Sequence, residues 1–119
     1  MSALAGKRVL LVEDEPIVAM VAQDILEQLG AEVVGPAAHL EQALRLALLE
    51  DVDVALLDVN LNGMMSLPVA EQLRARSVPY VFATGYCAAG AAGLKLDAPV
   101  VQKPYTQEDI EEALSRVAA

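Results

Sequence analysis

The sequence is short of positive charge, of cysteine and of long apolar runs. Eight Lys and Arg face 17 Asp and Glu, for a formal net charge of −9 at pH 7. A surface with that balance repels nucleic acid and anionic lipid, and no local run of Lys or Arg makes an exception. A nucleic-acid partner is therefore not expected. The single Cys87 has no intrachain partner for a disulfide, which fits a reducing, cytoplasmic setting, and no basic neighbour lowers its pKa toward reactivity. No apolar stretch approaches the ~20 residues of a membrane-spanning helix, so membrane insertion is not expected. The opening "MSALAGKR" lacks the apolar core of a secretory signal. No repeat or linker-like shift in composition divides the chain. Its 119 residues are read as one domain, 1–119, with one sizeable core and no attached output domain.

What is present is order. Hydrophobic residues make up 55% of the chain, and five short apolar runs alternate with five helix-like segments. "KRVLLVE" (7–13), "AEVVGP" (31–36), "VDVALLDV" (52–59), "VPYVFAT" (78–84) and "APVVQ" (98–102) read as strands covered on both faces. Between them, Pro16 suits a first helical turn, with Ile17, Val21, Ile25 and Leu29 as an inward stripe ending at Gly30. Leu40, Ala43, Leu44, Ala47 and Leu48 form a second stripe. Ser66 is an expected N-cap ahead of Pro68, Val69 and Leu73. "TQED" (106–109) reads as a capping box opening the last helix, with Ile110, Ala113, Leu114 and Val117 inward. The segment Cys87–Lys95 is weakly helical, because Gly90 and Gly93 each cost roughly 1 kcal/mol in a helix interior.

Alternation of this kind predicts a parallel sheet with helices on both faces and right-handed crossovers. In such sheets ligands bind beyond the carboxyl ends of the strands. Those ends carry Glu13 and Asp14, then Asp58 and Asn60, then Thr84, then Lys103. Each alone has an ordinary reading: a solvated turn, a strand-terminating acid, a strand threonine, a surface lysine. Together they form a set suited to a phosphoryl group. Carboxylate oxygens suit Mg²⁺, and a carboxylate can be the nucleophile that becomes an acyl phosphate. A lysine stabilises charge on the transferring oxygens, and a threonine hydroxyl can donate to one of them.

"VEDEP", "LLDVNLNG", "FATGY" and "QKPY", in that order, resemble the four motif regions of the receiver domain of two-component response regulators, over essentially the whole chain. The resemblance implies a flavodoxin-like (CheY-like), doubly wound five-stranded parallel sheet in the order 2-1-3-4-5, here with a weak or short fourth helix. It implies Asp58 as phosphoacceptor and Glu13 and Asp14 as the acidic pair for Mg²⁺. Asp58 and the backbone carbonyl of Asn60 would share that ion, and Thr84 and Lys103 would contact the phosphoryl group. A cis Lys103–Pro104 peptide is expected on the same ground. "VPYVFATGY" with "KPY" resembles the FATGUY subgroup, often without an output domain, although Tyr86 here follows Gly85 directly. Many receivers place an aromatic switch residue where this chain has Val100, leaving Tyr86 or Tyr105 as substitutes.

The implied function is a phosphorylation-switched interaction module. Its partners would be a sensor histidine kinase or histidine phosphotransfer protein and a downstream protein, and it would catalyse only its own phosphorylation and dephosphorylation. A phosphate sink or scaffold needs the same residues. An aspartyl phosphatase would need a second acid where Asn60 stands, and dinucleotide binding would need a glycine-rich loop where "VEDEP" stands. His39, Met64 and Met65 are read as cap, surface or packing residues rather than ligands.

Overall fold

The computed structural model describes residues 3–61, 64–85 and 98–118. Among the described residues seven strands and four helices follow in the order β1 (Arg8–Val12), α1 (Pro16–Gln28), β2 (Glu32–Ala37), α2 (Leu40–Leu49), β3 (Val54–Asp58), β4 (Asn60–Leu61), β5 (Met64–Met65), α3 (Leu67–Ala75), β6 (Tyr80–Thr84), β7 (Val100–Gln102) and α4 (Gln107–Ala118). The five-stranded sheet runs β2-β1-β3-β6-β7, every pairing parallel. With the short β4-β5 hairpin set aside, this is the expected 2-1-3-4-5. The hairpin, antiparallel with Asn60 opposite Met65, is an addition to the five expected strands. The weak helical segment expected over Cys87–Lys95 lies outside the described residues.

Side chains alternate across each strand with period two, and the sheet sorts them into two cores. Leu10, Val12, Ala55, Leu57, Tyr80 and Phe82 pack under α2 and α3, against Ala43, Ala47, Val69, Ala70 and Leu73. Val9, Leu11, Val54, Leu56, Val81, Ala83 and Val101 pack on the opposite face, against Ala22 and Leu26 of α1 and Ile110 and Leu114 of α4. All five residues of β3 are buried, as befits the centre of a sheet covered on both sides. Burying each of its leucines is worth roughly 1.5–3 kcal/mol relative to exposure.

Helix phasing differs from the expected stripe in α1. Ile17 is 71% exposed and Val21 46%, while Ala19, Ala22, Leu26 and Leu29 are buried. Both sets have helical spacing, and the first half of α1, Pro16 to Ala22, is apolar all round, so periodicity could not choose between them. The alanines let the helix lie close to the sheet, and that turns the larger Ile17 and Val21 outward. In α2 the buried residues are Ala43 and Ala47, and Leu48, expected inward, is exposed. Ser66 holds the N-cap position of α3, but its hydroxyl makes no capping bond and is buried without a partner among the described residues. His39 stands at the N-cap position of α2, likewise without a side-chain cap. The capping box at α4 forms as expected: the Asp109 amide donates to Thr106 Oγ1 at 3.1 Å, and the Thr106 amide donates to Asp109 Oδ2 at 2.9 Å.

One glycine sets the approach of β2 to β1. The β1–β2 register shifts between Leu10 and Val12, and Gly35 lies opposite with φ +107°. A Cβ there would stand 2.8 Å from the Leu11 carbonyl oxygen and 2.9 Å from the Ala37 amide nitrogen. Just beyond, the Glu13 amide donates to the Ala37 carbonyl at 2.9 Å, so this close approach also fixes the backbone of Glu13. Gly35→Ala is expected to destabilise the protein by about 2 kcal/mol or more, from forbidden φ and backbone clash together. Urea unfolding is the check, and a loss under ~0.5 kcal/mol, the range of ordinary surface substitutions, would contradict the argument.

Candidate functional site

Glu13 follows β1, Asp58 ends β3 and Lys103 follows β7. In strand parity, Glu13 continues Val9 and Leu11, Asp58 continues Val54 and Leu56, and Lys103 continues Val101. All three therefore emerge on the α1/α4 side of the sheet edge. There they meet. Lys103 Nζ lies 2.7 Å from Glu13 Oε2 and 3.0 Å from Asp58 Oδ2, with the lysine side chain only 9% exposed. The Lys103 backbone is tied to the neighbouring strand end by its amide, which donates to the Thr84 carbonyl at 2.8 Å. The Lys103–Pro104 peptide is cis, as expected.

The remaining expected residues border these three. Thr84 is buried at the end of β6, one residue beyond Ala83, the register partner of Asp58. Asn60, half-buried, donates its amide to Asp58 Oδ1 at 3.4 Å, a long bond that closes a turn over the carboxylate. Asp14 is half-buried and lies within hydrogen-bonding reach of Asp58. Carboxylate oxygens of Glu13, Asp14, Glu15 and Asp58 all lie within 4.8 Å of one another. Glu15 is the addition: its Oε1 stands 3.5 Å from Lys103 Nζ. The run of three acids in "VEDEP" was a visible signal, but nothing in it showed that the third acid turns toward the lysine. Tyr86 lies outside the described residues. Tyr105 is buried in the α1/α4-side core, and Val100 is exposed on β7.

The electrostatics follow from four clustered acids and one cation, which touches three of them. Burial, then the charge of Glu13, pushes the Asp58 carboxyl up to about 7, against the opposing pull of Lys103. Burial also works against the Lys103 ammonium, but its bonds to Glu13 and Asp58 more than offset this and hold it above the ordinary lysine value. Burial and the charge of Glu13 raise the Tyr105 phenol, which stays protonated. Hard oxygens crowded at this separation, with one of them resisting ionisation, are the donor set a small divalent cation would relieve. The residues present fit Mg²⁺.

The raised Asp58 pKa gives a signed prediction. The folded state holds that proton up to about pH 7, whereas an unfolded Asp loses it near ~3.9. Stability contributed by this group therefore falls as pH rises between those values and levels off above the upper one. Asp58→Asn should be more stable than the native chain at pH 8 in chelator, by on the order of 1–3 kcal/mol, and should lose the advantage near pH 4. Urea unfolding across that range tests it; an advantage independent of pH would contradict it.

Residues 9–115 match the family described as the response regulator receiver domain. The solution structure of SdrG from Sphingomonas melonis is 42% identical, covers the whole of both chains and superposes with a TM-score of 0.83. A receiver domain of a Pseudomonas aeruginosa sensor histidine kinase is 27% identical over 96% of this chain and 98% of that one, with a TM-score of 0.83. It was crystallised with a magnesium ion coordinated in its active-site cleft. The sensory transduction protein LytR of Staphylococcus haemolyticus is 29% identical over 92% of this chain, which spans only 44% of LytR.

Proposed function

The chain belongs to the response regulator receiver domain family, and we propose that it is a single receiver unit, 1–119, in which Asp58 accepts a phosphoryl group from a histidine kinase or a histidine phosphotransfer protein in the cytoplasm. The observation that carries this reading is the buried Asp58 carboxylate held 3.0 Å from the Lys103 ammonium beside Glu13, Asp14 and Asn60. An Asp58 oxygen attacks the phosphorus, the P–N bond of the donor phosphohistidine breaks, and an acyl phosphate results. Glu13, Asp14, Asp58 and the carbonyl of Asn60 would hold Mg²⁺, which supplies positive charge to the transferring oxygens. Lys103 donates to a phosphoryl oxygen and Thr84 donates its hydroxyl to another. Burial of the site limits water access to the reacting atoms. The product adds roughly 1.5–2 negative charges at the strand ends, and that change biases the surface offered to a downstream protein.

The surface beside the site supports a protein donor. Helix α1 exposes Ile17, Met20 and Val21. An apolar-lined cleft of about 430 Å³ runs between Ile17 and Val21 on one side and Gly85, Lys103, Pro104 and Tyr105 on the other. A donor helix seated there would bring its phosphohistidine to Asp58 while excluding water.

Incubation with acetyl phosphate and Mg²⁺ is expected to add one phosphoryl group, mapped to Asp58 by mass spectrometry. Chelation of Mg²⁺ or Asp58→Ala should abolish it; undiminished labelling in either case would overturn the assignment. Val21→Glu is expected to slow transfer from a phosphorylated histidine phosphotransfer protein about tenfold or more, as expected for a charge buried in an interface. Labelling by acetyl phosphate, which needs no docking, should stay within about twofold, since the substitution is remote from the reacting atoms. Equal slowing with both donors would place Val21 in the fold or the chemistry instead of the docking surface.

A further inference from the structure

The three carboxylates around Lys103 are not equivalent. An ammonium has three N–H donors, and here they face Glu13 at 2.7 Å, Asp58 at 3.0 Å and Glu15 at 3.5 Å. The Glu13 and Asp58 side chains are almost fully buried, whereas that of Glu15 is 64% exposed. Glu15 stands at the N-cap of α1, where a carboxylate commonly accepts a first-turn amide, yet it makes no capping bond. Its backbone is fixed independently. The Glu15 amide donates to Glu13 Oε1 at 3.1 Å, and its carbonyl accepts the Ala19 amide at 2.9 Å. The side chain alone is thus directed to Lys103, and both residues line the same apolar cleft.

An incoming phosphoryl oxygen needs one of the ammonium's N–H groups. Glu13 and Asp58 are held by burial and short bonds. Glu15 has the longest contact, the most water and an alternative partner in the positive end of α1. It is the group that yields most readily. Until it yields, it is a negative charge at the mouth of a site whose substrate is also negative.

We propose that Glu15 is a positioning and donor-selecting residue: its carboxylate competes with the phosphoryl group for Lys103 and so slows small, doubly charged phosphodonors. The inference rests on the reading of Asp58 as phosphoacceptor. Initial rates of Asp58 labelling in saturating Mg²⁺ are compared for the native chain, Glu15→Gln and Glu15→Asp. The donors are acetyl phosphate (a dianion) and phosphoramidate (a monoanion), each at low and high ionic strength. Glu15→Gln is expected to accelerate acetyl phosphate labelling roughly three- to tenfold at low salt and phosphoramidate labelling by about half as much on a logarithmic scale. Both ratios should fall toward one at ~0.5 M salt, where exposed charges are screened. Glu15→Asp keeps the charge and should stay within about twofold of the native rate.

A Glu15→Gln rate equal to or below the native one, or a gain that salt does not diminish, overturns the inference while leaving Asp58 as phosphoacceptor. So does a tenfold or greater loss of Mg²⁺ affinity by calorimetry in Glu15→Gln, which would make Glu15 a metal ligand. Absence of Asp58 labelling in the native chain overturns the underlying reading, and this inference falls with it.

Discussion

The structure depends on one buried cation. Lys103 brings its ammonium to within 3.0 Å of both Glu13 and Asp58, side chains from three different strand ends, in a place where water screens little. Without that charge, two nearly buried carboxylates would face each other across the sheet edge. Removing the cation from such a group commonly destabilises a protein by several kcal/mol, because the buried carboxylates are left unpaired. The same ammonium also orients Asp58. It holds one oxygen of Asp58 while the Asn60 amide approaches the other, so that the direction of the carboxylate is fixed. Lys103 is in turn placed by backbone geometry, through its amide bond to Thr84.

Everything beneath the site keeps those strand ends level. β3 is buried along its whole length, and its parallel neighbours stand in register such that Val12 pairs with Leu57 and Asp58 with Ala83. Two apolar cores of different composition hold the sheet from either side. The α2/α3 side has the aromatic pair Tyr80 and Phe82, whose ring centroids lie 5.5 Å apart in an edge-to-face arrangement. The α1/α4 side is made largely of leucine, valine and alanine, with Tyr105 adding its ring. The acids and the lysine rise from this second side. The low polarity beneath them is what lifts the Asp58 pKa and makes a divalent cation welcome.

Helix α1 shows how local pattern and tertiary packing divide the work. Its alanines face the sheet and its Ile17, Met20 and Val21 face out. An isolated surface helix gains nothing from exposing large apolar groups. Here the exposed Ile17 and Val21 line the cleft that reaches Lys103, the face proposed above for docking. The hydrophobic content of this short helix therefore serves two surfaces, with small residues inward for close approach and larger ones outward.

By itself the sequence determined the alternation of strands and helices, the sheet order through the family resemblance, and the identity of Asp58, Glu13, Asp14, Thr84 and Lys103 as strand-end residues. These were legible because burial on both faces forces near-continuous apolar strands, and chemistry forces the polar residues to their ends. The capping box of Thr106 and Asp109 was legible because it is local, involving one turn of backbone. Only the tertiary structure decided which side of α1 and α2 is inward. Two apolar stripes satisfy the helical period equally, and the depth to which alanine lets a helix approach the sheet breaks the tie. It also decided that the third acid of "VEDEP" turns from the helix end to Lys103. A side chain at an N-cap has two positive partners available, and the choice rests on a residue 88 positions away that only folding brings within 3.5 Å.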